Sequence, residues 1–200
     1  MNDVPSATDW WPFEDSNERP YPTAGDWPAE RRTLVLGVDP GPVVGLCALY
    51  PNPDTTGRYA QSVLLVQADP ESALRILSWW SAEWLADGTA WVQQRRMAVV
   101  CERFVDGRRA ARVAGRHGSQ AAKDLIGALR HSYPHLHTRA AADVKPWASA
   151  ARVKAAGIEI ANPTTMRHAL DAGRHALYAA VWDYGWPDPL AHGGRAVRGG

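Results

Sequence analysis

Cysteine is scarce in this sequence, and long apolar runs are missing. The two cysteines, Cys47 and Cys101, lie far apart, which excludes a disulfide scaffold and a CxxC zinc site and predicts a reducing cytoplasm. No apolar run approaches the roughly 18–20 residues of a membrane helix. The first residues, MNDVPSATDWW, lack the basic and then apolar organisation of a secretory signal. We therefore expect a globular protein with no membrane partner.

Lysine is scarce as well, so arginine supplies nearly all of the positive charge. The net charge of +1 conceals an asymmetry, because residues 1–30 contain seven acids and one base, whereas the remainder is basic. Arginine suits bidentate contact with phosphates, and the basic remainder predicts a polyanionic partner. Codon bias from a GC-rich genome explains the same composition equally well.

Composition divides the chain into three parts. Residues 1–30 are an acidic arm rich in proline and tryptophan, residues 31–186 form one domain, and residues 187–200 are a flexible basic tail.

Hydrophobic patterning within the domain predicts alternating strands and helices. In chain order we expect strands at 33–39, 43–50 and 58–67, a helix from Asp69-Pro70 to Asp87-Gly88, a strand at 97–104, a helix at 108–131 with a possible break at 115–118, a strand at 135–139, a helix at 143–156 and a last helix with an apolar stripe from Met166 to Tyr184. Three strands with tight connections favour an antiparallel meander. The fold class is therefore α/β, a mixed sheet flanked by helices.

Two carboxylates stand at the ends of buried strands. Asp39 closes the apolar run TLVLGVD, and Glu102 follows the apolar run MAVVC. A carboxylate at such a position is costly unless it is solvated, paired or bound to a cation. The structural alternatives are an Asx-type cap for Asp39 and a salt bridge to Arg103 or Arg108 for Glu102. Two such acids in one sheet also fit a shared divalent ion.

A third candidate group lies on the last helix. Asp171 and His175 are four residues apart, so both project from one flank of that helix beside the apolar stripe. An ordinary exposed Asp–His pair is the structural alternative.

These segments, taken in order, resemble the RuvC-type Holliday junction resolvases of the RNase H-like superfamily. LVLGVDPGPVVGLCAL resembles the first strand pair, VVCERF the strand with the catalytic Glu, ADVKPWASAARVKAAGI the lysine before a helix, and DAGRHALYAAVW the C-terminal helix. The resemblance covers roughly residues 34–182. The cellular family has two acids, or a His and an Asp, three residues apart before an Ala-Leu pair. This chain instead has Asp171 four residues before His175-Ala176-Leu177, which resembles divergent phage-type members.

The resemblance implies an RNase H-like fold and a structure-selective endonuclease that cuts branched DNA. It implies that the acids hold two Mg²⁺ ions, for which Mn²⁺ can substitute, and that His175 is an auxiliary ligand or base. The implied catalytic and metal-binding residues are Asp39, Glu102, Asp171 and His175. A homodimer is expected because a four-way junction has two-fold symmetry.

The DNA-binding candidates are mostly arginines around the second predicted helix. They are Arg103, Phe104, Arg108, Arg109, Arg112, Arg116 and Lys145. A solvated basic face and a core phenylalanine are the structural alternatives. Two other functions stay open: a non-catalytic branched-DNA-binding protein on the same fold, and a phosphate-binding domain of the actin-like or sugar-kinase type, which Asp39-Pro40-Gly41 also resembles.

Overall fold

A computed structural model describes residues 33–51, 62–86, 96–104, 108–160 and 162–191, with only the backbone described for 108–118. The predicted acidic arm at 1–30 and most of the predicted tail lie outside these residues, and so does the first part of the predicted third strand.

A five-stranded mixed sheet organises the described residues. Its strands are β1 Thr33–Asp39, β2 Val44–Tyr50, β3 Ser62–Ala68, β4 Arg96–Glu102 and β5 His137–Arg139. The order across the sheet is β3-β2-β1-β4-β5. The first three strands pair antiparallel, whereas β4 and β5 continue parallel to β1. This topology confirms the predicted mixed sheet with its antiparallel meander.

Five helices follow or flank these strands: α1 Pro70–Ala86, α2 Arg108–Ser132, α3 Ala141–Val144, α4 Ala150–Ala155 and α5 Arg167–Trp182. The helix predicted at 143–156 is wrong as a single element, because the chain breaks at Pro146 and Ser149 caps α4 by accepting from the Arg152 N–H. The break considered at 115–118 is absent from the backbone of α2. None of the described helices is long and apolar enough to cross a membrane.

The sheet separates two apolar cores. On one face α1 and α2 pack against residues such as Leu36 and Val99. On the other face α5 and α4 pack against Val35, Cys47 and Val100. Side chains alternate between the two faces along each strand, so every second residue of a strand faces α5.

Helix α5 lies unusually close to the sheet because two strand positions are glycine. A Cβ at Gly37 would overlap the carbonyl of Ala172, and a Cβ at Gly45 would overlap the carbonyl of His168. The predicted α5 stripe omitted Ala172 and Ala176, which are fully buried. Small residues on both elements thus permit the contact that fixes α5 over the ends of β1 and β4.

Strand β4 ends earlier than the predicted 97–104. Glu102 is its last residue, and the backbone N–H of Arg103 donates to the carbonyl of Arg139 at 2.7 Å. Arg103 and Phe104 consequently leave the sheet just beyond the carboxylate.

Candidate active site

Two carboxylates lie side by side at one edge of the sheet. Asp39 is the last residue of β1 and Glu102 is the last residue of β4. The two strands are parallel, with Val38 opposite Cys101, so the carboxylates occupy equivalent positions in the register. Both side chains contact α5, because each is hydrogen-bonded to a histidine of that helix.

Asp39 is buried and meets a residue that sequence reasoning missed. Nδ1 of His168 lies 2.7 Å from Oδ2 of Asp39, and Asp39 is only 8% exposed. Burial, helped by the negative charges of Glu102 and Asp171, outweighs the lowering effect of His168 and raises the pKa of Asp39 to about 6. Asp39 therefore carries its charge at an electrostatic cost, and the Asx-type cap expected as an alternative is not its main contact.

Glu102 is bound by the predicted histidine. Nε2 of His175 lies 3.2 Å from Oε2 of Glu102, and His175 is 2% exposed. The alternative of an exposed Asp171–His175 pair is therefore wrong, because His175 is buried and contacts a strand-end acid instead.

Asp171 is held by two cations. Lys145 donates to Oδ2 at 2.9 Å and Arg174 donates to Oδ1 at 2.6 Å. Burial alone would raise the pKa of Asp171, but Lys145 and Arg174 outweigh it, and the pKa lies below its usual range. Lys145, predicted to bind DNA, thus contacts the third acid of the candidate site.

One face of α5 carries all three site residues of that helix. His168, Asp171 and His175 are spaced by three and four residues, which places them on one side of a helix. His168 and Asp171 also supply the His and Asp three residues apart that characterise the cellular resolvases. That spacing was the sequence signal for His168. The Ala-Leu pair after His175 instead favoured Asp171 and His175 as the predicted pair.

Gln67 holds the start of α5 in place. Its Oε1 accepts from the backbone N–H groups of His168 at 2.9 Å and Ala169 at 3.3 Å, and its Nε2 donates to the carbonyl of Thr165 at 2.8 Å. Met166 provides no side-chain cap, so a residue of β3 satisfies the exposed donors of the helix. Gln67 is a positioning residue that its sequence context, an ordinary strand, did not reveal.

The donor chemistry of this site fits a divalent cation. Asp39, Glu102 and Asp171 are hard oxygen donors, and burial together with the two other acids makes ionisation of Asp39 unfavourable. Among the described residues, however, no three side chains of His, Cys, Asp or Glu form a ready metal cluster. Asp39 and Glu102 each bind a histidine through one carboxylate oxygen, whereas both oxygens of Asp171 are bound by Lys145 and Arg174. Asp171 must therefore give up one of these cations to hold an ion.

The structure separates the predicted DNA-binding residues into three groups. Arg103 is exposed and Phe104 is half-buried against the core on the α1 and α2 face. Lys145 contacts Asp171. The remaining four lie on the first half of α2, where the side chains are outside the described residues: Arg108, Arg109, Arg112 and Arg116.

The solved structures that are similar to this chain include two of Thermus thermophilus RuvC. One, in complex with a Holliday junction substrate, is 20% identical, covers 79% of this chain and 99% of its own, and has a TM-score of 0.42. The other is 19% identical, covers 78% and 99% respectively, and has the same TM-score of 0.42. The chain matches no protein-family model and no curated protein.

The fold assignment rests on the sheet itself. An antiparallel β3-β2-β1 meander continues into parallel β4 and β5, and helices cover both faces. The described residues therefore have the mixed sheet with helices on both faces that the resemblance to the RNase H-like fold implied.

Proposed function

We propose that this protein is a metal-dependent endonuclease that cuts phosphodiester bonds in branched DNA such as a Holliday junction. The observation that carries the proposal is that Asp39 and Glu102 end beneath α5, the helix that carries Asp171. Asp39 and Glu102 end neighbouring parallel strands, and the charge of Asp171 reaches Asp39. Structural carboxylates are seldom gathered in this way without cations to balance them.

The three acids are the proposed metal-holding residues, for Mg²⁺ or for Mn²⁺ as a substitute. The hypothesis includes the binding of two ions. When bound, such ions supply an activated water and stabilise the leaving oxygen of a phosphodiester. His168 and His175 orient Asp39 and Glu102 through their ring nitrogens. Lys145 and Arg174 balance the charge of Asp171 and are placed to contact a phosphate brought to the site.

A junction with two-fold symmetry needs two cuts, so the proposal includes a homodimer that presents two such sites. The arginines of α2 and the segment after Glu102 would contact the DNA backbone, since phosphates attract positive charge.

A second candidate is a protein that binds branched DNA without cutting it. It is favoured by the present partners of Asp171 and by the lack of a ready metal cluster in the described residues. The two functions share the fold and the basic residues, and they differ in chemistry.

A cleavage assay on the full chain separates them. A four-way junction, a nicked duplex and a plain duplex are each incubated with Mg²⁺, with Mn²⁺ or with EDTA. The nuclease proposal predicts cuts in the junction only when a divalent ion is present, and few cuts in the plain duplex. Tight junction binding with no cleavage in either metal would leave the second candidate.

A further inference from the structure

A cationic cleft lies on the face of the sheet opposite the acids. It has a volume of about 230 Å³ and is lined by Arg103, Phe104, Lys123, Ile126, Gly127, Arg130 and Thr138. Three of these seven residues are cationic and none is acidic. The volume is several times the roughly 30 Å³ that one water molecule occupies in the liquid, so a phosphate group with part of its sugar fits.

One side of α2 forms the floor of this cleft. Lys123, Gly127 and Arg130 are separated by four and three residues, which places them on the same helical face. The rise of an α-helix puts Lys123 and Arg130 about 10 Å apart along the axis. The glycine between them keeps the space between the two cations open.

Gly127 has no structural reason to be glycine. Its backbone is helical, and a Cβ at this position would meet nothing within 4 Å. Glycine inside a helix costs about 0.5–1 kcal/mol relative to alanine. Neither a left-handed backbone nor close packing requires glycine at this position, so a side chain introduced there would enter the cleft without disturbing the helix.

The cleft begins one residue beyond the acidic site. Glu102 contacts α5 on one face of the sheet, and Arg103 and Phe104 follow it into the cleft on the α2 face. Arg130 is close enough for its charge to act on Cys101, the residue before Glu102. The cleft and the acidic site therefore lie at the same end of β4, on opposite faces of the sheet.

We propose that the cleft between α2 and the end of β4 is a second DNA subsite, which binds a backbone phosphate other than the one at the acids. Lys123 and Arg130 contact the phosphate oxygens from either side of Gly127, and Arg103 lies at the acidic-site end. The ring of Phe104 and the side chain of Ile126 form the apolar wall against the sugar. This inference rests on the proposed function, since it takes branched DNA as the ligand.

Steric filling of the cleft is the first test, because it leaves every charge in place. Gly127→Leu projects a side chain into the open space, and Gly127→Ala is the matched control that adds only the Cβ. Both variants should unfold at or above the wild-type temperature, since both replace a helical glycine. Binding of a four-way junction in Ca²⁺ should weaken about tenfold in Gly127→Leu and stay within twofold of wild type in Gly127→Ala.

Charge removal is the second test. The double variant Lys123→Gln/Arg130→Gln should lower the magnitude of the slope of log K against log[salt] by about 1 to 2. Lys154→Gln, an exposed lysine of α4, is the control and should change the slope less.

The outcomes distinguish this inference from the proposed function. The subsite alone is overturned if the wild-type protein binds and cuts the junction while Gly127→Leu binds it equally well and the double variant has an unchanged salt slope. A wild-type protein that does not bind branched DNA overturns the proposed function and the subsite with it. Weakened binding in Gly127→Leu with normal binding in Gly127→Ala supports the subsite even if the protein does not cut.

Discussion

Asp39 and His168 are 129 positions apart in the sequence, yet their side chains meet at 2.7 Å in the candidate site. Two features of the fold produce this contact. Gly37 and Gly45 let α5 approach the sheet, and Gln67 fixes the first turn of that helix. The site is therefore built by the packing of α5 as much as by the acids.

The His168 contact predicts that this residue orients Asp39. We expect His168→Gln to reduce junction cleavage about 10–100-fold, the range typical of residues that orient metal ligands. Junction binding should stay within a few fold of wild type. His175→Gln is the comparison and should leave partial activity with better rescue by Mn²⁺ than by Mg²⁺, since the softer ion tolerates an altered ligand set. Full activity in His168→Gln in both metals would contradict the orienting role.

Gln67 offers a test of positioning without any contact to the acids. Gln67→Leu removes two acceptor contacts and one donor contact at the start of α5. The expected loss is about 1–2 kcal/mol of unfolding free energy, the range for helix caps, with a fall in the cleavage rate. Gln67→Glu keeps the acceptor for the two N–H groups and should recover most of both properties. Cleavage rate and unfolding free energy are measured on the same samples. If Gln67→Leu and Gln67→Glu lose both properties equally, Gln67 does not act by accepting from the N–H groups at the start of α5.

The burial of Asp39 predicts an unusual pH dependence of stability. Its folded pKa is about 6, raised chiefly by burial, against an ordinary value of 3.8. Because the pKa of Asp39 is higher in the folded state, protonated Asp39 adds to the free energy of unfolding. This contribution is fully present below about pH 4 and is lost as the pH rises towards 6. In EDTA at pH 7.5, Asp39→Asn should therefore be more stable than wild type, by about 3 kcal/mol at most. Near pH 4 the gain should vanish.

Asp188 provides a control of the opposite sign. Burial would raise its pKa, but hydrogen bonds from Arg152 and from the Leu190 N–H outweigh this, and its pKa is lowered. Its contribution to stability is present above the ordinary pKa and lost as pH falls, so Asp188→Asn should be less stable than wild type at pH 7.5. Thermal unfolding at several pH values measures both variants. Equal destabilisation of both at pH 7.5 would show that Asp39 is an ordinary paired carboxylate.

The strands and the two strand-end acids were predictable because local chemistry specifies them. TLVLGVD and MAVVCE are short apolar runs that each end in a carboxylate, and the structure places both ends in one register. The meander followed from short connections rich in turn residues. Asp171 was predictable from its position beside the apolar stripe of α5.

The partners of these acids were not predictable, since they depend on how α5 packs. A periodic stripe indicates which side of a helix is buried, but it does not say which strand lies beneath it. His168 and Gln67 come together only when α5 is docked on β2 and β3. The split at Pro146 was visible in the sequence, because proline is disfavoured inside a helix, and the alanine-rich composition outweighed that signal.

The central claim is that Asp39 and Glu102 hold a metal that cuts DNA, and one measurement tests it most directly. Junction cleavage in Mg²⁺ is compared among wild type, Asp39→Asn, Glu102→Gln and Glu71→Gln, an exposed acid of α1 that serves as the matched control. The account predicts that Glu71→Gln cuts like wild type. Asp39→Asn and Glu102→Gln should bind the junction at least as tightly as wild type but cut it at less than about 1% of the wild-type rate. This is the loss expected when several kcal/mol of transition-state stabilisation is removed. Cleavage by both Asp39→Asn and Glu102→Gln at rates close to wild type would contradict it.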